Sequence, residues 1–128
     1  MEKREVKTDK APKPVGPYSQ AVIACDFVFC SGQIAINQST GTMVESDIEG
    51  ETMQVMENLK AVLESVGSSL DMVVKTTIFL RNMDDFARVN KVYGKYFGEI
   101  PPARSTVEVA RLPKDANVEI ECIALKNG

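Results

Sequence analysis

The residue of this chain best suited to bind a small anion is an arginine near the C-terminus. Arg104 opens the alternating run RSTVEVA and directly follows Pro-Pro-Ala at 101–103. Proline fixes φ and restricts the residue before it, so the chain enters the predicted strand in a set direction. A guanidinium held in this way presents a planar fork that matches a carboxylate through two parallel hydrogen bonds. The competing interpretation is a surface arginine whose stem lies along the sheet.

Tyr18 and Glu119 are the candidates for handling a proton or a water molecule. Tyr18 follows a Gly-Pro pair, and its hydroxyl is able to donate to a substrate or to position water. Glu119 alternates with the apolar Val118 and Ile120, which places it on the less buried face of a strand. Each has a plainer alternative, since Tyr18 could cap the edge of the core and Glu119 could be a solvated surface charge.

Several classes of chemistry are excluded by composition. The chain contains no histidine, which removes Ser-His-Asp and Cys-His catalysis and most zinc sites. Its three cysteines are an odd number without paired spacing, which favours a reducing compartment over a disulfide framework. We therefore expect neither a metal nor a cofactor at the site.

The bulk properties predict one globular domain. The chain has 128 residues, of which 44% are hydrophobic and 26% charged, and its net charge is −3. The sequence lacks the basic stripe that is typical of nucleic-acid-binding proteins. Its apolar runs are all much shorter than the ~20 residues of a membrane span. We expect a single domain over 1–128, a loosely held charged arm over 1–13, and a cytoplasmic location.

The first half of the chain predicts two strands and a helix. QAVIACDFVFCSG at 20–32 is typical of two strands joined by a tight bend near Asp26, and 37–43 suggests a turn with a short strand. Ser46 and Glu49 fit a capping box, and Gly67 fits a left-handed helix end. Between them, apolar residues recur at the three-four spacing of an amphipathic helix, at 48, 55, 56, 59, 62, 63 and 66.

The second half predicts a strand, a helix and two further strands. VVKTTIFLRN is rich in β-branched residues, and DDFARVNKVYGKYFG indicates a helix capped by Asp84 and ended by Gly98. The runs RSTVEVA and NVEIECIAL are predicted to pair as an antiparallel hairpin, with 105, 107 and 109 facing the core. Two helices with one apolar stripe each would cover one sheet face, and the uncovered half-apolar face predicts self-association.

The sequence resembles the Rid (reactive intermediate deaminase, YjgF) family. The segments that carry the resemblance are GPYSQAV, CSGQIA, KTTIFLRNMDDFARVN and PARSTVEVARLPKDANVEIE, which occur in the family's order between about residues 11 and 125. The resemblance implies an α+β, chorismate-mutase-like fold, with a mixed six-stranded sheet backed by two helices, assembled as a homotrimer. It also implies cofactor-independent hydrolysis of enamines and imines, such as 2-aminoacrylate, to 2-keto acids and ammonia.

The resemblance assigns roles to individual residues. The family's carboxylate-binding arginine matches Arg104, and its other site residues match Tyr18, Ser31, Asn90 and Glu119. Backbone amides near Ser31, Gly32 and Thr106 are further candidate donors to the substrate. Asn90 has the alternative of satisfying a backbone group, and Ser31-Gly32 that of a simple strand end. Members of the deaminase branch often carry Cys where this chain has Thr106, which puts any thiol role in doubt.

In the predicted hairpin, Arg104 and Glu119 would lie ~16 Å apart within one chain. Either this register is wrong or the two residues meet across a subunit boundary. We favour the second explanation and expect a site built by two neighbouring subunits. Two other functions remain open: a non-catalytic module that binds a 2-keto acid or a similar metabolite, and an RNA-cleaving translation inhibitor.

Overall fold

The computed structural model describes residues 2–127; Met1 and Gly128, the ends of the predicted domain, lie outside the described residues. Within residues 2–127, eight strands and two α-helices follow one another. In order they are β1 (Lys3–Val6), β2 (Ala21–Ala24), β3 (Phe27–Gln33), β4 (Ile36–Asn37), β5 (Thr42–Met43), α1 (Ile48–Glu64), β6 (Val73–Leu80), α2 (Phe86–Tyr93), β7 (Ala103–Glu108) and β8 (Val118–Leu125).

Six of the strands form one mixed sheet in the order β1-β2-β3-β8-β6-β7. β6 and β7 run parallel, and the other neighbouring pairs of this sheet are antiparallel. Parallel neighbours need a long crossover, and α2 lies in the connection between β6 and β7. The mixed six-stranded sheet implied by the resemblance is therefore confirmed.

The sixth strand comes from the N-terminal segment that we expected to be a loosely held arm. Lys3–Val6 pairs with Ala21–Ala24 as the edge strand β1, whereas the short strands β4 and β5 form a separate hairpin. Val6 is buried and its three strand neighbours are exposed, so a single apolar anchor accompanies the backbone ladder. We did not predict this strand because its residues are mostly charged, although an edge strand tolerates charged side chains.

The two helices cover one face of the sheet, as predicted. α1 contributes Val55, Met56, Leu59, Val62 and Leu63 to the core, against Val28, Ile78, Val118 and Ile120 of the strands. Asp47, not Ser46, caps α1, because its carboxylate accepts from the Gly50 amide at 2.9 Å. Gly67 has φ of +80°, which confirms the left-handed helix end.

The second helix is shorter than its apolar pattern predicted. A 3₁₀ turn over Met83–Asp85 leads into α2, and a second 3₁₀ turn over Gly94–Tyr96 ends it before Gly98. The capping side chain is Asn82, which accepts from the Asp84 amide at 2.9 Å, and not Asp84 itself. Glycine is a poor helix former, which is consistent with the α-helix ending at Tyr93.

The predicted hairpin of the last two strands is wrong. β6 lies between β7 and β8, pairing in parallel with one and antiparallel with the other. Short alternating strands next to each other in sequence suggest a hairpin, but a central strand that is buried on its helix side separates them here. The separation of Arg104 and Glu119 is therefore set by the registers of their strands with β6.

The face of the sheet away from the helices carries exposed apolar side chains. Phe27, Phe29 and Val107 are 37%, 43% and 42% exposed. The half-apolar uncovered face expected from the sequence is thus present, and such a face is typical of a surface that contacts another chain.

Candidate functional site: two half-sites on opposite faces of the sheet

Arg104 lies on the helix-covered face of the sheet. In the register of β6 and β7, Arg104 is paired with Thr76 and Thr106 with Ile78, and both β6 residues are buried beneath the helices. Side chains of paired residues share a face, so Arg104 and Thr106 point toward α2. The predicted core face of β7 was therefore inverted, and Val107 points to the open side.

The Arg104 guanidinium is surrounded by uncharged groups of α2. Its Nη1 donates to the Asn90 Oδ1 atom at 2.7 Å. Its Cζ atom lies 5.5 Å from the centre of the Phe86 ring and 5.1 Å from that of Tyr93. Asn90 thus binds a side chain and not a backbone group as in our alternative interpretation.

The positive charge of Arg104 has no acidic partner within the described part of the chain. The ion pairs found there, within 4.0 Å, all involve other cations. Glu108, on the same face of β7, accepts instead from the Met83 amide at 2.8 Å. A half-buried guanidinium with spare donors and an uncompensated charge is well suited to an anionic ligand.

The Thr106 hydroxyl oxygen is buried and has no hydrogen-bond partner among residues 2–127. An unsatisfied buried polar atom costs about 1–3 kcal/mol. Because Thr106 stands two residues from Arg104 on the same face, its hydroxyl is available to a group that binds beside the guanidinium.

The other predicted site residues line a cavity of about 450 Å³ whose wall includes the N-terminal loop. Tyr18, Ser31, Gly32 and Glu119 all line it. The wall also includes apolar groups of the loop, among them Pro12, Pro14 and Val15. Four of the seven candidate residues are therefore brought together here. The other three, Asn90, Arg104 and Thr106, lie together beside α2, and we call these two groups the half-sites.

Glu119 is held in a partly desolvated position. It lies between the fully buried Val118 and Ile120 on the open face of β8, as the alternation predicted. Burial raises the pKa of the Glu119 carboxyl, and the negative charge of Glu121 raises it further. A carboxyl in this position is closer to the range in which it can both accept and return a proton.

A bulge in β3 makes room for the Glu119 carboxylate. The register between β3 and β8 shifts between Cys30 and Gln33, so Ser31 and Gly32 fall within the irregularity. A β-carbon at Gly32 would collide with the carboxylate. The Ser31 amide donates to the Gln20 carbonyl at 3.0 Å and its hydroxyl to the Ser19 carbonyl at 2.6 Å, so this amide is not a spare donor.

Tyr18 is positioned by a loop that Gln20 holds in place. The Gln20 side chain donates to the carbonyls of Thr8, Ala11 and Pro12 and accepts from the Thr8 amide. Tyr18 itself is 49% exposed, and its hydroxyl oxygen accepts from the Val15 amide at 3.4 Å, which leaves its O–H able to donate. The sequence analysis did not assign this role to Gln20, because its partners in the loop lie 8 to 12 residues away in the chain.

The two half-sites cannot meet within one chain. Glu119 and Val107 both pair with Phe79, so Glu119 is two strand spacings from β7 and three residues along it from Arg104. The offset across the sheet and the offset along the strand are each about 10 Å, so the backbones of Arg104 and Glu119 lie about 14 Å apart. The side chains also point to opposite faces, so this obstacle is stronger than the one inferred from the hairpin.

The comparisons with known proteins cover nearly the whole chain. A family model described as endoribonuclease L-PSP matches residues 8–126. A RutC family protein of Pyrococcus horikoshii is 55% identical over 124 residues, covering 97% of this chain and 98% of the relative. A 2-iminobutanoate/2-iminopropanoate deaminase of Dermatophagoides farinae is 49% identical over 123 residues, covering 96% of each.

A solved structure shares both the fold and the family. A protein of the Rid family from Yersinia pestis has a TM-score of 0.94 and 51% identity, covering 97% of this chain and 99% of that chain. A mixed sheet with two helices on one face and this set of matches define the class. The chain belongs to the endoribonuclease L-PSP family, of which the Rid proteins are members, and the chorismate-mutase-like fold is confirmed.

Replacing Gly32 with alanine should displace the Glu119 carboxylate without unfolding the protein. The group that collides is the end of a flexible side chain, so we expect Gly32→Ala to lower Tm by no more than about 4 °C. The displaced carboxyl should titrate closer to its ordinary pKa in an NMR titration. Gly94→Ala is the matched control, because a β-carbon there meets nothing within 4 Å. An unchanged Glu119 pKa in Gly32→Ala would contradict this arrangement.

Glu119→Gln should stabilise the protein at about pH 7. The pKa of Glu119 is raised in the folded state, so its contribution to stability is complete below the unfolded pKa and is lost as pH rises through the folded pKa. Glutamine mimics the protonated carboxyl, and the gain in Tm should disappear near about pH 4. Thermal unfolding at the two pH values measures this, with Glu121→Gln giving a smaller gain. A lower Tm for Glu119→Gln at neutral pH would show that the carboxylate has a favourable partner.

Proposed function

We propose that this protein is a cofactor-independent deaminase that hydrolyses 2-imino acids and their enamine tautomers, such as 2-aminoacrylate. The observation that carries the proposal is the half-buried Arg104 guanidinium, which has spare donors and no acidic partner in the described chain. Support also comes from the relative named as a 2-iminobutanoate/2-iminopropanoate deaminase.

The proposed reaction needs little beyond placement of the reactants. The enamine takes a proton on its methylene carbon and becomes an iminium ion, whose C2 is electrophilic. The oxygen of water adds to C2 and gives up one proton, and the nitrogen takes up a proton. The carbon–nitrogen bond then breaks as the hydroxyl loses its proton and the C=O bond forms, so that a 2-keto acid and ammonia leave. Placing reactants correctly is itself a large catalytic effect, and an unstable substrate requires only modest acceleration.

In this proposal the two half-sites have separate tasks. Arg104 binds the substrate carboxylate, Asn90 fixes the guanidinium, and Thr106 offers its hydroxyl and backbone to the same ligand. Across the cleft, Glu119 orients the attacking water and relays a proton, which its raised pKa favours. Tyr18 donates to the substrate or to that water, and Ser31 and Gly32 shape the wall that holds Glu119.

We further propose that the site forms between subunits of a homotrimer. Arg104 and Glu119 point to opposite faces in one chain, so a substrate can touch both only when a second copy supplies one of them. The exposed Phe27, Phe29 and Val107 offer an apolar surface for that contact. We place the protein in the cytoplasm, consistent with Cys30 and Cys122, which face each other in neighbouring strands without a disulfide.

RNA cleavage is the second candidate, because the matching family is described as an endoribonuclease. The net charge of −3 and the missing histidine weigh against it. Incubation of the protein with a labelled RNA under the assay conditions tests this candidate directly. Cleavage that persists in the Arg104→Ala variant would assign it to a different site.

Wild-type protein should accelerate the release of pyruvate from 2-aminoacrylate. A pyridoxal-phosphate dehydratase acting on serine generates the enamine, and pyruvate is followed over time. Arg104→Ala should lose on the order of 100-fold or more in kcat/KM, because a charged hydrogen bond is worth about 1.5–3 kcal/mol and two are removed. Arg4→Ala, at an exposed arginine of the edge strand β1, is the control and should keep full activity. Pyruvate binding without acceleration would replace the deaminase with the ligand-binding module considered in the sequence analysis.

Mixed trimers should recover activity that neither parent variant has. Each site in this proposal takes Arg104 from one subunit and Glu119 from its neighbour, so random mixing of Arg104→Ala and Glu119→Ala chains leaves about one quarter of the sites intact. Subunits are mixed by co-expression, and the pyruvate assay measures the result against each variant alone. A mixture no more active than its parents would contradict a shared site.

A further inference from the structure

We infer that Phe86 and Tyr93 are positioning residues that hold the Arg104 guanidinium in its carboxylate-binding orientation. The inference rests on the proposed function of Arg104 and assigns a role to two residues outside the predicted site. Neither ring needs to touch the substrate for this role, since both act through the arginine.

The contact is built by one stripe of α2. Phe86, Asn90 and Tyr93 stand at positions i, i+4 and i+7, which lie on one face of a helix. That stripe presents a ring, an amide oxygen and a second ring to a single guanidinium. The ring centres lie 5.5 and 5.1 Å from the Arg104 Cζ atom, within the ~6 Å range of cation–π attraction.

Tyr93, the more buried of the two rings, is itself held in place by a hydrogen bond. The Tyr93 and Thr76 hydroxyls are 2.7 Å apart and joined by a buried hydrogen bond, and Thr76 is the residue paired with Arg104 across β6 and β7. Burial raises the pKa of Tyr93, so its hydroxyl remains protonated and able to make this bond. Strand, helix and arginine are thereby connected through one aromatic side chain.

Aromatic rings suit this task because they orient a cation without neutralising it. A carboxylate partner would hold Arg104 equally well but would compete with the substrate carboxylate for the same N–H groups. The rings and the Asn90 oxygen restrict the guanidinium and leave its charge and its remaining donors for the ligand. Less conformational freedom then remains to be lost when the ligand binds.

Phe86 is the residue on which to test the inference, because it is 37% exposed and its truncation removes little of the core. We expect Phe86→Leu to raise the dissociation constant of pyruvate and the KM of the imine by about tenfold, within the range of a partly desolvated cation–π contact. We expect kcat to change by less than about twofold, since an interaction made equally before and during the reaction affects KM alone.

Phe86→Tyr keeps the ring and is the conservative control, with binding and KM expected within about twofold of wild type. Calorimetric titrations with pyruvate and with longer 2-keto acids separate positioning from direct packing. A positioning role predicts the same loss for every chain length. A loss that grows with chain length, an unchanged dissociation constant in Phe86→Leu, or a fall in kcat alone would overturn the inference.

Failure of this inference is distinguishable from failure of the proposed function. Should the wild type neither bind pyruvate nor release it from 2-aminoacrylate, the deaminase proposal fails and the positioning role fails with it. Should the wild type be active, Arg104→Ala inactive and Phe86→Leu indistinguishable from wild type, only the positioning role is rejected.

Discussion

The pleat of the sheet is the constraint on which the proposed chemistry depends. Alternate residues of a strand face opposite sides, and the two registers with β6 put Arg104 on the helix side and Glu119 on the open side. No side-chain rotation can bring both to one small ligand. In the proposed function a single chain therefore carries two incomplete sites, and the exposed apolar side chains of the open face offer a surface for contact with a second copy that would complete one.

The two half-sites are electrically complementary. No carboxylate pairs with Arg104 among residues 2–127, because its neighbours are an amide and two rings. The pKa of Glu119, by contrast, is raised by burial and by the charge of Glu121. The first arrangement favours binding of an anion, and the second favours a carboxyl that exchanges a proton. In the proposed reaction neither half needs a histidine, which is consistent with a chain that has none. No helix within residues 2–127 is long and apolar enough to cross a membrane.

Local signals were sufficient for much of the fold. The bend near Asp26, the left-handed Gly67, the strand that became β6 and the apolar stripe of α1 were all predicted, because each depends on residues within a few positions of one another. Errors arose where a distant neighbour decides the outcome. The edge strand β1 exists because β2 is there to pair with it, and β7 and β8 are separated because β6 lies between them.

For the candidate site, the sequence alone was enough to select the residue types: an arginine after a rigid Pro-Pro-Ala approach, a tyrosine after Gly-Pro, and a glutamate alternating with buried residues. It also sufficed for the family resemblance, which the comparisons confirmed. Only the tertiary structure decided that Arg104 and Thr106 face the helices, that Arg104 lies between Phe86 and Tyr93, and that Gly32 makes room for Glu119. The physical reason is that period-two alternation defines two faces without saying which one the helices cover. The face that the helices cover is determined by the register with a strand elsewhere in the chain, as that of β7 with β6 shows.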